Sequence, residues 1–345
     1  MVNKKYILGI ETTAHTFGIA IVSDEKNPKI LANEKDSFFT EDGEGGMIPM
    51  EVAKHHDDIS ESVYNLALEK SKIKEKDIGA IALSNAPGLA PCLLSGMNFA
   101  KKLSKKLQVP IVCVNHCIAH LEIGELIFPE CKDPVLLYAS GANTQVIAYE
   151  SGKYRVFGET LDMGVGNFID TFARYAKLGF PGGPKIQELA DECKNKNEII
   201  DLPYSIKGMD VAFSGMLTKL KNYLDTKKYS LNELSYSMQE IVFAMLVEAG
   251  ERALAHTGKK ELLLGGGVAC NKRLQEMCKK MCEERGCKFF VPENSLLVDN
   301  AAMIAYLGLK MFKKNIFIDW KNVDNKRKLD IKPRERTDNV EIVWK

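Results

Sequence analysis

The two halves of the sequence begin with the same pattern. Residues 6–22, YILGIETTAHTFGIAIV, predict two β-strands joined by a polar turn. The pattern starts again after Asp133, where residues 134–160 predict a second set of short strands around the polar turn 140–144. Each half then continues with strand and helix units. This internal duplication predicts an α/β fold in which two lobes face each other across a cleft.

The first polar turn carries candidate catalytic groups. It holds Glu11, Thr12, Thr13 and His15, and a turn of this kind points backbone N–H groups and hydroxyls into a cleft. We therefore expect Glu11 and His15 to be catalytic residues. The next glycine-rich stretch, 40–50, predicts a mobile loop. His55 and His56 follow within a predicted helix, and because neighbouring residues point in different directions around a helix, we expect surface or interface residues rather than metal ligands.

Residues 111–124, IVCVNHCIAHLEIG, predict a buried strand that leads into a helix capped by Asn115. His116 and His120 then lie on one face about one turn apart, the spacing by which a helix supplies two metal ligands. Two ordinary histidines at a helix start remain the alternative at this point. Cys117 stands where a metalloprotease would have its base glutamate, which disfavours peptide hydrolysis.

The composition excludes several classes of protein. With 345 residues the chain is long enough for two lobes, and no apolar run approaches the roughly 20 residues that a membrane span needs. The N-terminal residues do not read as a secretion signal, so we expect a cytoplasmic protein without membrane contacts. Nine cysteines, an odd number, suit free thiols in a reducing compartment. Cys278, Cys282 and Cys287 favour core packing over a zinc site, because no further ligand completes the set.

Charge gives only a local signal for nucleic acid. The net charge is +1, but residues 310–336 hold ten basic and four acidic residues. This region is either a solvated tail or a surface that faces RNA.

The second half also carries a strand, three glycines and a helix, in ELLLGGGVACNKRL at 261–274. Glycines without side chains let the backbone approach a ligand closely, and the helix start favours a nucleotide nearby. The spacing does not fit the Rossmann motif GxGxxG. Asp299 then precedes a last helix, which we expect to pack back on the first lobe.

This order of strands, hairpins and glycine-rich turn resembles the actin, sugar-kinase and heat-shock ATPase superfamily. Specific motifs run in one family's order along nearly the whole chain. They are GIETTAHTFG, NAPGLAPCLLSG, VNHCIAH, LYASGANTQVIA, VGNFIDTFAR, PGGPKI, GMDVAFSG, YSMQEIVFAMLVE, GGGVACNKRL, VDNAAMIA and RTDNVEIVW. With these motifs the chain resembles the archaeal and eukaryotic-type tRNA N6-adenosine threonylcarbamoyltransferases, the catalytic subunits of KEOPS complexes.

The resemblance implies an enzyme that transfers a threonylcarbamoyl group from threonylcarbamoyl-adenylate to the N6 amine of the adenosine 3′ of the tRNA anticodon, with release of AMP. It implies one divalent metal ion per subunit, iron or zinc, and an adenylate donor or ATP-type nucleotide in the cleft. The implied metal ligands are His116, His120, Tyr138 and Asp299. The implied donor contacts are Tyr138, Ala139, Ser140, Gly141, Ala142, Asp170, Gly183, Gln187 and Asn271.

Three positions depart from the family's usual residues. Ala142 stands where glycine is usual, and because alanine is costly at positive φ we expect an ordinary backbone angle there. Gln187 replaces a common glutamate and brings no charge, and Ala301 replaces a frequent glycine. The metal set itself is complete.

Partners and domains follow from the same resemblance. We expect tRNA, a separate small protein kinase subunit and other KEOPS subunits as partners, because the chain leaves no room for a fused kinase domain. The first lobe would comprise 1–131, completed by the helix and tail 300–345, and the second lobe 132–299. Alternatives are an ATP-dependent small-molecule kinase of the same superfamily, which would want an aspartate base, and a non-catalytic nucleotide-binding scaffold.

Overall fold

The computed structural model describes residues 5–40 and 47–345. The predicted mobile loop at 40–50 lies largely outside the described residues. The strands are β1 (Tyr6–Glu11), β2 (Thr16–Ser23), β3 (Ile30–Ser37), β4 (Ile78–Ala86), β5 (Ile111–Asn115), β6 (Val135–Ala139), β7 (Thr144–Glu150), β8 (Lys153–Glu159), β9 (Ile206–Lys207), β10 (Asp210–Val211), β11 (Glu261–Gly265) and β12 (Lys288–Phe290).

The helices alternate with these strands. They are α1 (Pro49–Ser71), α2 (Ala90–Leu107), α3 (His116–Ile127), α4 (Val165–Tyr175), α5 (Gly182–Asp191), α6 (Ser214–Asp225), α7 (Leu231–Thr257), α8 (Lys272–Glu284), α9 (Asn294–Leu297) and α10 (Ala301–Lys313). Short 3-10 helices cover Glu75–Asp77, Gly267–Cys270, Trp320–Asn322 and Thr337–Asn339. Among the described residues, no helix combines the length and the apolar character that a bilayer crossing requires.

Two five-stranded sheets share one topology, which confirms the predicted duplicated α/β fold. The first has the order β3-β2-β1-β4-β5 and the second β8-β7-β6-β11-β12. In each sheet the first three strands form an antiparallel meander, and the last two run parallel to the first strand. Parallel neighbours need crossover helices, which cover the sheets and bury apolar strands such as β4 on both faces.

The last helix packs on the first sheet, as predicted. A Cβ atom at Gly9 in β1 would lie 2.3 Å from the backbone oxygen of Ala301, so only glycine lets α10 approach β1 this closely. Ala301 is fully buried at this contact. The domain boundaries, including the assignment of 300–345 to the first lobe, stay a prediction.

The chain after α10 crosses from one sheet to the other. Ile318 pairs with Ile111 of the first sheet, and the backbone N–H of Lys332 donates to the backbone oxygen of Asn85. Further on, Arg336 forms an ion pair with Glu159 of β8. Four of the ten basic residues at 310–336 (Lys310, Lys313, Lys332 and Arg336) pair with carboxylates among the described residues. The choice between a solvated tail and an RNA contact stays open for this region.

The prediction for His56 is wrong. His56 is fully buried, its Nε2 lies 2.9 Å from the backbone oxygen of Ala14, and its ring packs against Phe17 of β2. The reason is that α1 lies against β2, so one of two neighbouring histidines must face the sheet. The PGGP motif at 181–184 leads directly into α5, which begins at Gly182. The nine cysteines are unpaired, and Cys278 and Cys282 pack in the core beneath the second sheet.

Candidate functional site

The two histidines of the HxxxH motif are fixed by the cap of α3. The side-chain oxygen of Asn115 accepts hydrogen bonds from the N–H groups of Cys117, at 3.1 Å, and Ile118, at 3.3 Å. This confirms the predicted cap and starts the helix directly where β5 ends. His116 and His120 therefore project from the first turns of α3 in nearly the same direction, with ring centroids 4.8 Å apart.

Asp299 joins the two imidazoles from a distant part of the chain. Its Oδ1 lies 3.4 Å from Nε2 of His116 and 3.6 Å from Nε2 of His120. One ligand atom from each of the three residues lies within 4.8 Å of the others. The loop that leads into α10 supplies Asp299, and the buried side chain of Asn300 caps that helix. The packing of α10 on the first sheet thus brings the carboxylate to the histidines.

Tyr138 completes the set that the family resemblance implied. It is the penultimate residue of β6, and its hydroxyl lies 3.1 Å from Nε2 of His116. Burial raises the pKa of this phenol, so it is protonated at neutral pH without a cation beside it. The second sheet thereby contributes one oxygen to a group whose other members come from the first lobe and the α10 loop.

His120 supplies the test of whether a metal fits here. Both of its ring nitrogens are buried and have no hydrogen-bond partner among the described residues. Burying a polar group without a partner is costly, and a cation at the convergence of His116, His120 and Asp299 would remove that cost at Nε2 of His120, the nitrogen that faces Asp299. Two imidazole nitrogens with carboxylate and phenol oxygens suit zinc or iron. The donor set fits a divalent metal ion and does not choose between the two.

Glu11 lies behind His116. Its Oε2 is 2.9 Å from Nδ1 of His116, and its Oε1 accepts from the backbone N–H of Thr13 at 2.6 Å and from the Thr13 hydroxyl at 2.5 Å. This arrangement keeps a proton on Nδ1, so Nε2 is the nitrogen that gives up its proton when a cation binds. Glu11 is fully buried and does not line the cavity described below. Its position is that of a partner to His116.

Electrostatics separates the two histidines. Burial acts to lower the pKa of His116, but Glu11, Tyr138 and Asp299 outweigh it and raise that pKa well above its ordinary value. Burial lowers the pKa of His120, so this imidazole is neutral and able to bind a metal. Burial acts to raise the pKa of Asp299, and the adjacent histidines nevertheless hold it well below its ordinary value.

A cavity of about 1700 Å³ lies between the two sheets, and three members of this group, His116, Tyr138 and Asp299, line it. His15 and Lys35 also line it. The implied donor contacts that line it are Tyr138, Ser140, Gly141, Ala142, Asp170, Gly183, Gln187 and Asn271. The structure therefore brings together nearly all of the residues predicted from the sequence.

Ala139 is the exception among the implied donor contacts. Successive residues of a strand point to opposite faces, so Tyr138 faces the cavity while Ala139 packs with Val135 and Leu137 in the core of the second lobe. The backbone oxygen of Ala139 touches the glycine-rich turn, because a Cβ at Gly266 would lie 2.3 Å from it. Ala139 shapes the site through its backbone.

The turn at 140–144 is held against the start of α4. Gly166 donates its N–H to the backbone oxygen of Ser140 at 3.0 Å, and Asn167 donates to that of Gly141 at 2.9 Å. Among the described residues, Ala142 is not one of those with positive φ, which confirms the expected ordinary angle. Alanine therefore fits at this position.

Asp170 and Asn271 differ in what their side chains can still bind. Oδ1 of Asp170 accepts the N–H of Gly182 at 2.8 Å, and burial raises the pKa of this carboxyl. Asn271 caps α8, since its Oδ1 accepts from the N–H groups of Arg273 and Leu274, and its Nδ2 donates to Oε1 of Gln239 at 2.8 Å. Both polar atoms of the Asn271 side chain are thus already hydrogen-bonded to other groups of the protein.

Two further residues of the cavity wall were missed by the sequence reasoning. Gln239 interrupts the apolar face of α7, and a polar residue at a core position is a signal that could have identified it. Lys35 lies in β3 and lines the cavity. Burial lowers its pKa, and the nearby carboxylate of Asp299 offsets only part of that effect. A lysine in a half-buried strand gives no comparable signal in the sequence.

Comparison with known proteins identifies the family. Residues 29–306 match the family model of the tRNA N6-adenosine threonylcarbamoyltransferases. The chain is 50% identical over 337 residues to the tRNA N6-adenosine threonylcarbamoyltransferase of Thermococcus sibiricus, covering 98% of this chain and 99% of that protein. It is 48% identical over 344 residues to a probable bifunctional tRNA threonylcarbamoyladenosine biosynthesis protein of Methanosarcina mazei, covering 99% of this chain and 60% of that protein.

Solved structures share the fold at low sequence identity. A nucleotide- and phosphate-bound HypF aligns with a TM-score of 0.60 at 11% identity, covering 90% of this chain and 56% of that one. Component A of the (R)-2-hydroxyglutaryl-CoA dehydratase of Acidaminococcus fermentans aligns with a TM-score of 0.52 at 15% identity, covering 88% and 99%. The match to the family model and the near full-length identity carry the assignment: the chain belongs to the tRNA N6-adenosine threonylcarbamoyltransferase family.

Proposed function

We propose that this chain transfers the threonylcarbamoyl group from threonylcarbamoyl-adenylate to the N6 amine of the adenosine 3′ of the anticodon in tRNA, and releases AMP. The observation that carries the proposal is the convergence of His116, His120, Asp299 and Tyr138 at a cavity of about 1700 Å³ between the two sheets, which His116, Asp299 and Tyr138 line. Membership of the family, together with the names of close relatives, supports the same reaction.

The reaction needs little covalent help from the protein. The N6 nitrogen attacks the carbamoyl carbon, the bond from that carbon to the phosphate oxygen breaks, AMP departs with the electron pair, and the amine loses a proton. Most of the acceleration then comes from holding the two reactants in line and from stabilising charge. A bound divalent ion, iron or zinc, would supply Lewis-acid polarisation and a template for the threonyl part of the donor.

The protein's own residues have distinct tasks in this proposal. The backbone of the turn at 140–142 and the carboxyl of Asp170 hold the donor, and Asp170 suits ribose hydroxyls. Gly183 and Gln187 line the same wall. His15 lies in the cavity wall beside Phe180, where its imidazole accepts the proton that the amine loses. Glu11 acts through His116, whose Nδ1 it holds.

The proposed partners are tRNA, a separate small protein kinase subunit and other KEOPS subunits. A relative with a bifunctional name supports an association with a second activity, since this chain covers only 60% of that protein. We also propose that the enzyme works in the cytoplasm, and its nine unpaired cysteines agree with a reducing compartment.

The test uses purified protein, threonylcarbamoyl-adenylate and a tRNA transcript, with AMP release and tRNA mass as readouts. Wild type should release AMP and add one threonylcarbamoyl group to the tRNA. The variant His116→Ala/His120→Ala should lose both while keeping the circular dichroism spectrum of wild type. A transcript with guanosine at the target position is the substrate control. Transfer by the metal-free double variant would refute the proposal, and magnesium-dependent ATP turnover without tRNA would favour a kinase.

A further inference from the structure

Gln239 is a buried amide in the wall of the cavity. It lies in α7, is only 5% exposed, and lines the cavity together with Met238 and Val242. Both carboxylate oxygens of its neighbour Glu240 accept hydrogen bonds from Arg273 at 2.7 Å, so Glu240 does not partner the Gln239 amide. A buried polar side chain needs hydrogen-bond partners. The partner of each atom of the Gln239 amide therefore shows which atom remains able to bind a ligand.

The hydrogen bonds of Asn271 fix the orientation of Gln239. Oδ1 of Asn271 accepts two backbone N–H groups at the start of α8, at 2.8 Å and 3.4 Å. Its other atom must therefore be the NH₂ group, which can only donate. That donor lies 2.8 Å from the amide of Gln239, so the atom of Gln239 facing it is the oxygen. The NH₂ group of Gln239 consequently points away from Asn271.

That NH₂ group is available to a ligand. Among the described residues it has no hydrogen-bond acceptor, and it is not one of the polar atoms sealed off from solvent. Since Gln239 is nine-tenths buried and lines the cavity, the donor is accessible from the cavity. Apolar side chains that line the same cavity include those of Ile186, Val242, Phe243 and Val268. Such a wall suits a flat ring, and one donor within it selects a ring that presents an acceptor.

We propose that Gln239 is a specificity-determining residue whose Nε2 donates a hydrogen bond to a ring nitrogen of adenine in the bound nucleotide. The inference rests on the proposed function, which places an adenylate in this cavity. Adenine offers lone pairs at N1, N3 and N7, and an amide N–H pairs with any of them. A base that carries N–H at the contacted position places two donors against each other and binds weakly. Asn271 is then a positioning residue that acts through Gln239.

The test is a thermodynamic cycle that combines the change of one side chain, Gln239, with the change of one ring atom of the ligand. Binding of AMP and of its 1-deaza, 3-deaza and 7-deaza analogues is measured by calorimetry on the metal-loaded protein. Each analogue replaces one ring nitrogen by C–H. For wild type, one analogue should bind about tenfold more weakly than AMP, the loss expected for one hydrogen bond in a buried site. Gln239→Leu should bind AMP about tenfold more weakly and should bind that analogue as well as AMP.

Two more variants separate this contact from general damage. Gln239→Glu still accepts from Asn271 but cannot donate to the ring, so it should also abolish the difference between AMP and the critical analogue. Gln275→Leu is the matched control, because the Gln275 amide donates to the backbone oxygen of Ala269 at 2.8 Å and does not line the cavity. This variant should keep the full difference in affinity between AMP and the analogue. Thermal unfolding of each variant checks that it is folded.

The outcomes distinguish this inference from the proposed function. If all three analogues bind wild type as well as AMP does, or if the penalty persists in both Gln239 variants, the assignment of Gln239 is overturned and the proposed reaction stands. If wild type does not bind AMP at all, both the assignment and the nucleotide cavity of the proposed function fail.

Discussion

Oε2 of Glu11 lies 2.9 Å from Nδ1 of His116, on the opposite side of the ring from the nitrogen that faces Asp299. A carboxylate in this position keeps a proton on Nδ1, so a metal binds at Nε2 in exchange for the Nε2 proton, and it raises the basicity of the ring as a ligand. Both residues are buried, so water does not replace this contact if it is lost. The first polar turn of the chain therefore supports the metal site from behind.

The first prediction concerns this support. Glu11→Gln keeps the size of the side chain but can present an N–H to Nδ1, which would place the His116 proton on Nε2. We expect zinc affinity to fall about 10- to 100-fold, as for other partners of metal-binding histidines. Competition with a chromophoric chelator measures it. Glu34→Gln is the control. Glu34 lies in β3 and forms an ion pair with Lys70, and this variant should bind zinc as wild type does. Equal affinities for all three proteins would contradict the assigned role.

The second prediction concerns metal removal and His120. Without metal, wild type buries an imidazole that has no hydrogen-bond partner among the described residues, so His120→Leu should leave the metal-free stability unchanged or raise it by about 1 kcal/mol. With zinc at 100 times its Kd, wild type should gain about 2.7 kcal/mol, and His120→Leu should gain far less. Thermal unfolding with zinc and with chelator measures both.

A surface histidine controls for nonspecific zinc binding. His256→Leu, near the end of α7, should gain as much stability from zinc as wild type. If His120→Leu were stabilised by zinc to the same extent as wild type, His120 would not be a ligand.

The third prediction concerns Glu122, a fully buried carboxylate in α3. It accepts hydrogen bonds from Tyr154 at 2.5 Å and from Trp344 at 3.1 Å, and it forms an ion pair with Lys310. This contact joins α3, β8, α10 and the end of the chain. Lys310→Met leaves the buried charge without its cation and should cost about 3 kcal/mol in the free energy of unfolding at pH 7. Lys313→Met, at an exposed pair with Asp24, should cost less than about 1 kcal/mol.

The same pair predicts a pH dependence. Burial acts to raise the pKa of Glu122, but Lys310, Lys345 and the hydrogen bonds outweigh it, so the folded pKa lies below the ordinary 4.5. A lowered carboxyl pKa stabilises the fold above pH 4.5, and this stabilisation is lost as pH falls through the folded pKa. The difference in the free energy of unfolding between wild type and Lys310→Met should therefore narrow as pH falls below 4.5. Urea unfolding across that range tests it, and a constant difference would exclude this linkage.

The fourth prediction separates two adjacent glycines of the turn 265–267. Gly266 has φ +91°, and a Cβ there would lie 2.3 Å from the backbone oxygen of Ala139. Gly266→Ala should cost at least about 2 kcal/mol of stability, because the backbone strain and the clash add. At Gly267 the nearest atom to an added Cβ is 3.9 Å away, so Gly267→Ala should change stability by about 0.5 kcal/mol or less. Equal losses in chemical unfolding would contradict this distinction.

Several local features could be predicted because short-range rules govern them. The Asn115 cap and the i, i+4 spacing of His116 and His120 follow from helix geometry, which operates within a few residues. The duplicated strand pattern likewise predicted both sheets. The ordinary backbone angle at Ala142 followed from the steric cost of positive φ for alanine.

Other features could not be read from the pattern. His56 looked like a surface residue, because nothing local tells which face of α1 meets β2. The use of Asn271 as a helix cap, and of Gln239 as the residue that it orients, depends on how α7 packs against α8. Glu11 was expected in the cleft, and its place behind His116 follows from the arrangement of β1 against α3.

The sequence by itself determined the elements, their duplicated order, the family and the residue types of a metal and nucleotide site. Only the tertiary structure decided which of those residues meet. Asp299 reaches the histidines because α10 packs on β1 through Gly9, and Tyr138 reaches them because the second sheet faces the first. The physical reason is that secondary structure follows interactions between near neighbours in the chain, whereas a ligand set follows the burial of whole helices and sheets against one another.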